Sequence, residues 1–209
     1  VDFLHSIAPR FNIVTSSVKE FTFAEQTRLL KQIRGLKPDL VHFGMTQQPI
    51  LYRGKTVTTI HDLTTARFKN PAKNPLVFWI KQKVYRIVIK IVARKSEVVI
   101  TPSEYVKDDV AKFAKINSRK VEVTYESADK ITETPDPMEE LVDQKFLLYV
   151  GRPQPHKNLD RLVEAFASLS NKHPDLYLVL AGKKDALYWQ LEKHVKAQNL
   201  ENVIFTDFV

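Results

Sequence analysis

The sequence predicts an α/β protein in two halves, each built on a parallel sheet. Three observations predict it. Short β-branched runs alternate with longer helix-spaced runs along the chain. A polar stretch carrying Pro135 and Pro137, DKITETPDPMEELVDQK (residues 129–145), interrupts that alternation. Beyond residue 145 the chain reads strand–helix–strand–helix–strand, half of a doubly wound sheet.

In chain order, FAEQTRLLKQIRGL (23–36) reads as a helix ending near Gly35, and KPDLVHF (37–43) as a turn and a short strand. TVTTI (56–60) is β-branched and strand-like. A long helix is expected from about 75 to 95, then a strand at EVVI (97–100). In TPSEYVKDDVAKFA (101–114), Thr101 is the expected N-cap, Pro102 the first helical position and Glu104 the closing residue of a capping box. KVEVTYE (120–126) is the next strand, and 129–145 reads as a linker with one short helical turn. FLLYV (146–150) has the look of a buried strand. Leu159, Leu162, Val163, Phe166 and Leu169 then share one helix face. LYLVLAG (176–182) is a strand, ALYWQLEKHVKAQNL (186–200) a helix, and NVIFTDFV (202–209) begins another strand.

Composition narrows the function. With 209 residues, 44% hydrophobic and 27% charged, the chain is an ordinary soluble type able to bury a core. No cysteine is present, which excludes disulfides, a thiol nucleophile and thiolate metal sites. The formal charge of +8 favours anionic partners. Nucleic acid is disfavoured, because the basic residues are spread over both halves without aromatic interleaving. Five glycines form neither a GxGxxG nor a Walker loop. No apolar run is long enough to span a bilayer and no signal peptide opens the chain, so a cytoplasmic location is expected.

Chemistry concentrates at YVGRPQPHKN (149–158). Arg152 and Lys157 flank a proline-stiffened loop where a strand hands over to a helix. A helix starting near Asn158 points free N–H groups back toward Gly151, and two cations at that mouth suit a phosphate. The plainer alternative is a solvated basic turn. His61 and Asp62 directly follow a strand. There Asp62 could simply cap a turn and His61 make a satisfied polar contact. On the 75–95 helix, Lys83, Arg86 and Lys90 form a stripe beside Trp79, and the rest is a wide apolar arc. That fits a core helix with a wet basic stripe, or an interfacial helix on acidic lipid.

"VGRPQPHKNLDRLVEAFASL", "HPDLYLVLAG" and "LENVIFTDFV" together resemble the donor domain of GT-B glycosyltransferases, of the retaining family 4 (group 1) type. "KPDLVHF", "TVTTIHDLT", "EVVITPSEYVKDDV" and "KVEVTYESAD" fall in the same family's order. The resemblance implies two Rossmann-like domains facing a cleft. Residues 1–130 would be the acceptor-side domain lacking its start, 131–145 the linker, and 146–209 the first part of the donor domain. It implies transfer of a sugar from a nucleotide-diphosphate sugar to a glycan or lipid-linked acceptor, with retention, without a metal or other cofactor. Arg152 and Lys157 would hold the diphosphate, Gly151 would open that loop, and Gly182 would lie near the nucleotide. Phe208 and Val209 would border the base. His61, with Asp62 beside it, would meet the transferred sugar. Lipid-linked acceptors make peripheral contact with an acidic membrane, at its inner face, a live expectation. Ser103 matches a recurrent family position but reads as part of a capped helical turn.

The chain departs from the family in places. "YESAD" stands where an Asn-Gly turn is usual, and residues 1–10 show no strand with a glycine-rich loop. The family's donor-binding glutamates are expected downstream of Val209. The chain therefore reads as part of a glycosyltransferase, inactive by itself, with a non-catalytic GT-B-like binding or interaction module as the alternative.

Overall fold

The computed structural model describes residues 9–19, 22–68, 74–132, 134 and 136–207. The chain divides into two compact units, Val1–Arg67 with Trp79–Ala128, and Phe68–Phe78 with Asp129–Val209.

The first unit carries a four-stranded sheet of β1 (Val41–Phe43), β2 (Thr56–Thr59), β3 (Val98–Thr101) and β4 (Val121–Val123), in that order. All pairs are parallel, with Val41 opposite Thr56, Val57 opposite Val98 and Val99 opposite Val121. A π-helical turn, Glu25–Leu29, leads into α1 (Leu30–Leu36). The turn α2 (Thr64–Arg67) and the helix α3 (Pro75–Lys95) connect β2 to β3, and α4 (Glu104–Ala114) connects β3 to β4. Ile60, Ile89, Ala93, Val99, Val110, Ala114 and Val121 form the core. A buried polar seam crosses it, where Gln48 Nε2 donates to Thr58 Oγ1 at 3.0 Å and Ser96 lies 2.9 Å from the same hydroxyl.

α1 ends at Leu36, beside Gly35 as expected, and Lys37 takes the left-handed cap position at φ 49°. Two expectations shift here. Thr101 stays in β3, fully buried, and Ser103 is the N-cap of α4, its hydroxyl accepting from Val106 N–H at 3.3 Å. With Ser103 as cap the third helical residue is Val106, so Glu104 closes no capping box. The second shift is on α3. Its residues Ile89, Val92 and Ala93 are buried, whereas Leu76, Ile80, Val84, Ile87 and Ile91 are exposed. At helical spacing those five form one stripe, turned away from the core. Lys83 lies over the Trp79 ring, and Arg86 and Lys90 lie over Phe113.

The second unit carries β5 (Lys145–Val150), β6 (Leu176–Ala181) and β7 (Val203–Asp207), parallel and in that order. α5 (Leu159–Ser170) and α6 (Ala186–Ala197) are the crossovers. Val163, Phe166, Leu178, Leu180, Tyr188 and Leu191 build the core, with Tyr188 edge-on to Phe205. A 3-10 turn, Glu139–Leu141, lies within the 129–145 stretch. β5 corrects the expectation of a buried strand: Leu148 and Val150 are 57% and 70% exposed. Among the described residues β5 pairs on one side only, with β6, and reaches the core through Tyr149.

Candidate active site

Parallel strands deliver their carboxyl ends to one edge, where the chain leaves each sheet. At β2, Ile60 still donates its N–H to the Ile100 carbonyl at 2.9 Å, so His61 is the first residue to leave. Its ring is held from two sides. Nε2 donates to the Gly44 carbonyl, just after β1, at 3.1 Å. Nδ1 contacts Glu126 Oε1, beyond β4, at 2.8 Å. A carbonyl can only accept, which puts a proton on Nε2. Nδ1 donates to the carboxylate when the ring is an imidazolium. Asp62 Oδ1 accepts from Thr64 N–H at 2.7 Å and so starts α2.

Two recesses meet at His61. One, of about 150 Å³, is lined by Met45, Thr46, Thr59, Asp62 and Tyr85. The other, of about 190 Å³, is lined by Thr59, Thr101, Pro102, Thr124 and Glu126. Tyr85 hydroxyl and Thr46 Oγ1 are 3.0 Å apart, and burial pushes the Tyr85 phenol up. Both openings are small, and each carries threonine hydroxyls and one carboxylate in its lining.

In the second unit, the loop after β5 is tightly fastened. Gly151 (φ 141°) donates its N–H to the Ala181 carbonyl at 2.9 Å. Gly182 (φ 155°) follows β6, and a Cβ there would lie 2.4 Å from the Gly151 carbonyl oxygen. Pro153 is buried while Arg152 and Lys157 are exposed. A 3-10 turn, Pro155–Lys157, ends at Asn158 in the left-handed conformation, φ 54°. α5 therefore starts at Leu159. Among the described residues no side chain caps it, which leaves its first N–H groups open to an anion. Arg152 Nη2 donates to Asp185 Oδ2 at 2.8 Å, and the guanidinium holds that carboxyl below the usual aspartate range.

The structure thus brings Gly151, Arg152, Lys157 and Gly182 to the carboxyl ends of β5 and β6, and His61 and Asp62 to that of β2. Phe208 and Val209 lie outside the described residues. Sequence reasoning passed over Gly44 as a partner of His61, and Tyr149, Asp185 and Tyr188 around the Arg152 loop. Asp185 carried one readable signal, an aspartate just before a helical run. Among the described residues no cluster of His, Asp and Glu could hold a metal, and no helix is long and apolar enough to cross a membrane.

Comparison with known proteins decides the family. The model of Glycosyltransferase Family 4 matches residues 4–129, and that of Glycosyl transferases group 1 matches residues 130–209. The chain belongs to glycosyltransferase family 4. This family 4 chain is 31% identical over 153 residues to the uncharacterised glycosyltransferase YqgM of Bacillus subtilis (strain 168), covering 72% of the chain and 39% of YqgM. It is 32% identical over 115 residues to the O-antigen chain mannosyltransferase RfbU of Salmonella typhimurium (strain LT2), covering 54% of the chain and 29% of RfbU. It therefore spans well under half the length of these two relatives. Among solved structures, Anabaena Alr3699/HepE in complex with UDP and glucose aligns with all of the chain and 59% of its own, at TM-score 0.65 and 16% identity. WaaG, a glycosyltransferase of lipopolysaccharide biosynthesis, aligns with 94% of the chain and 57% of its own, at TM-score 0.59 and 17% identity. The α/β fold of the family 4 chain is of the GT-B type.

Proposed function

We propose that the full-length protein carrying this chain transfers a sugar from a nucleotide-diphosphate sugar to a hydroxyl of a glycan or lipid-linked acceptor, with retention. One observation carries the reading: two cations, two glycines at positive φ and an uncapped helix start gather at the carboxyl ends of β5 and β6. Such a mouth suits a diphosphate. Arg152 supplies a fork, Lys157 a point charge, and α5 backbone N–H groups. In this reading they stabilise the charge that develops on the leaving diphosphate without a divalent ion. His61 serves the sugar, its ring oriented by Gly44 and Glu126, with Asp62 shaping the turn below it. The course is front-face attack, in which a leaving phosphate oxygen takes the acceptor proton as the new glycosidic bond forms and the old one breaks.

The exposed stripe on α3, flanked by Lys83, Arg86 and Lys90, supports peripheral contact with an acidic membrane at its cytoplasmic face.

The test is Arg152→Ala and Lys157→Ala in the full-length protein, read by donor kinetics. Removing a charge-assisted hydrogen bond costs roughly 1.5–3 kcal/mol, so each should weaken donor use about ten- to a hundredfold. Wild-type kinetics in both variants would remove the assignment.

A further inference from the structure

Four groups converge on the loop after β5. The Tyr188 hydroxyl, on a side chain 1% exposed, donates to the Gly151 carbonyl at 2.7 Å. Tyr149 hydroxyl donates to the Arg152 carbonyl at 3.0 Å. The Gly151 N–H is held by the Ala181 carbonyl. The fourth is Asp185, which acts on the Arg152 side chain itself. Backbone and side chain are thus fastened separately.

Asp185 is itself immobilised. Its Oδ1 accepts from Leu187 and Tyr188 N–H at 3.0 and 3.3 Å, capping α6. The other oxygen, Oδ2, is the one that meets Arg152, so the carboxylate cannot move with the arginine without giving up the helix cap. Among the described residues the contact engages one guanidinium nitrogen, Nη2. A carboxylate that blocked the fork would take two nitrogens in parallel. This one leaves Nε and Nη1 unclaimed while restricting a long side chain.

We propose that Asp185 is a positioning residue for nucleoside-diphosphate binding: it anchors Arg152 by Nη2 at the carboxyl end of β5, so that the rest of the guanidinium meets the diphosphate already oriented. The inference rests on the diphosphate reading of Arg152. Its physical basis is pre-organisation, since an arginine held in place loses less rotamer freedom when its ligand arrives. The first turn of α6 then acts on the ligand through Arg152, without touching it.

The test uses the full-length protein with UDP, GDP and ADP as probes in titration calorimetry. Asp185→Ser keeps a good helix cap and removes the anchor; Asp185→Asn keeps the cap and a neutral acceptor. Asp185→Ser should weaken the best-bound nucleotide about three- to tenfold at an unchanged thermal midpoint, as expected for one partly exposed pair that orients a ligand group. Asp185→Asn should recover part of that loss. In an Arg152→Ala background, Asp185→Ser should have no further effect. If Arg152→Ala binds like wild type, or wild type binds none of the three probes, the diphosphate reading itself fails. If Arg152→Ala is weakened but Asp185→Ser binds as well as wild type or better, the positioning role is overturned and the diphosphate reading stands. Equal loss from Asp185→Ser in both backgrounds also overturns it, because the effect then bypasses Arg152.

Discussion

Gly182→Ala is the sharpest single perturbation of the loop. Its added Cβ would sit 2.4 Å from the Gly151 carbonyl oxygen and 2.9 Å from the Tyr188 hydroxyl. Neither neighbour can yield cheaply. The first is backbone, and the second is buried and bonded to that same carbonyl. A φ of 155° adds strain for any residue with a Cβ. Backbone strain of this kind costs about 1–3 kcal/mol, and the displaced Tyr188 bond about 1 kcal/mol more. A total near 3 kcal/mol raises local opening about 150-fold, at about 1.4 kcal/mol per tenfold. Hydrogen exchange read on peptides spanning 147–158 and 178–190 should show it. The amide of Gly151, bonded to Ala181, and that at position 182, bonded to Asp207, should both lose protection. Peptides from β3 and α4 should exchange as before. Protection unchanged within about twofold at both amides would refute the close-approach argument.

Other perturbations address the rest of the molecule. His61→Ala in the full-length protein should lower kcat about five- to thirtyfold, the worth of one or two positioned hydrogen bonds, and leave donor KM nearly unchanged; unchanged activity per folded molecule would make His61 structural. Replacing Lys83, Arg86 and Lys90 together by Gln should weaken binding to acidic vesicles by about 1 kcal/mol per cation, and salt should weaken the wild type in the same way. Equal sedimentation of the two proteins would make the stripe a solvated face. Burial pushes the Tyr188 phenol up to about 12. Its contribution is therefore complete below pH 10, the ordinary value, and is lost as pH rises toward 12. Alkaline unfolding of Tyr188→Phe should lack that component, and identical alkaline profiles would count against it.

Much of the architecture was legible because local physics agreed with the fold. α3 runs over Pro75–Lys95 as its periodicity indicated, since proline suits a first turn and the apolar spacing never breaks. Thr101 misled because a β-branched residue serves a strand as well as a cap, and β3 claimed it. The exposure of Leu148 and of the Ile80–Ile87 side of α3 was invisible, because apolar residues signal a face without naming what lies against it. Arg152 and Lys157 were legible from their place between a strand and a helix. Their surroundings were not. Asp185 meets Arg152 across 33 positions and Glu126 meets His61 across 65, pairings that exist only once the strands are side by side.

That dependence reaches into how the chain must assemble. Every strand pair among the described residues is parallel, so no hairpin among them can nucleate either sheet. Val57 has to find Val98 with all of α3 between them, and Lys145 has to find Leu176 around α5. Each closure spends loop entropy before any contact repays it, which makes the search slow. Helical turns can form early, but the sites of His61 and Arg152 exist only once the strands beside them have paired. An emerging chain would therefore hold core residues such as Val99 and Leu178, buried once the sheets are complete, in the open for that interval, the period in which a partner that shields apolar surface matters most.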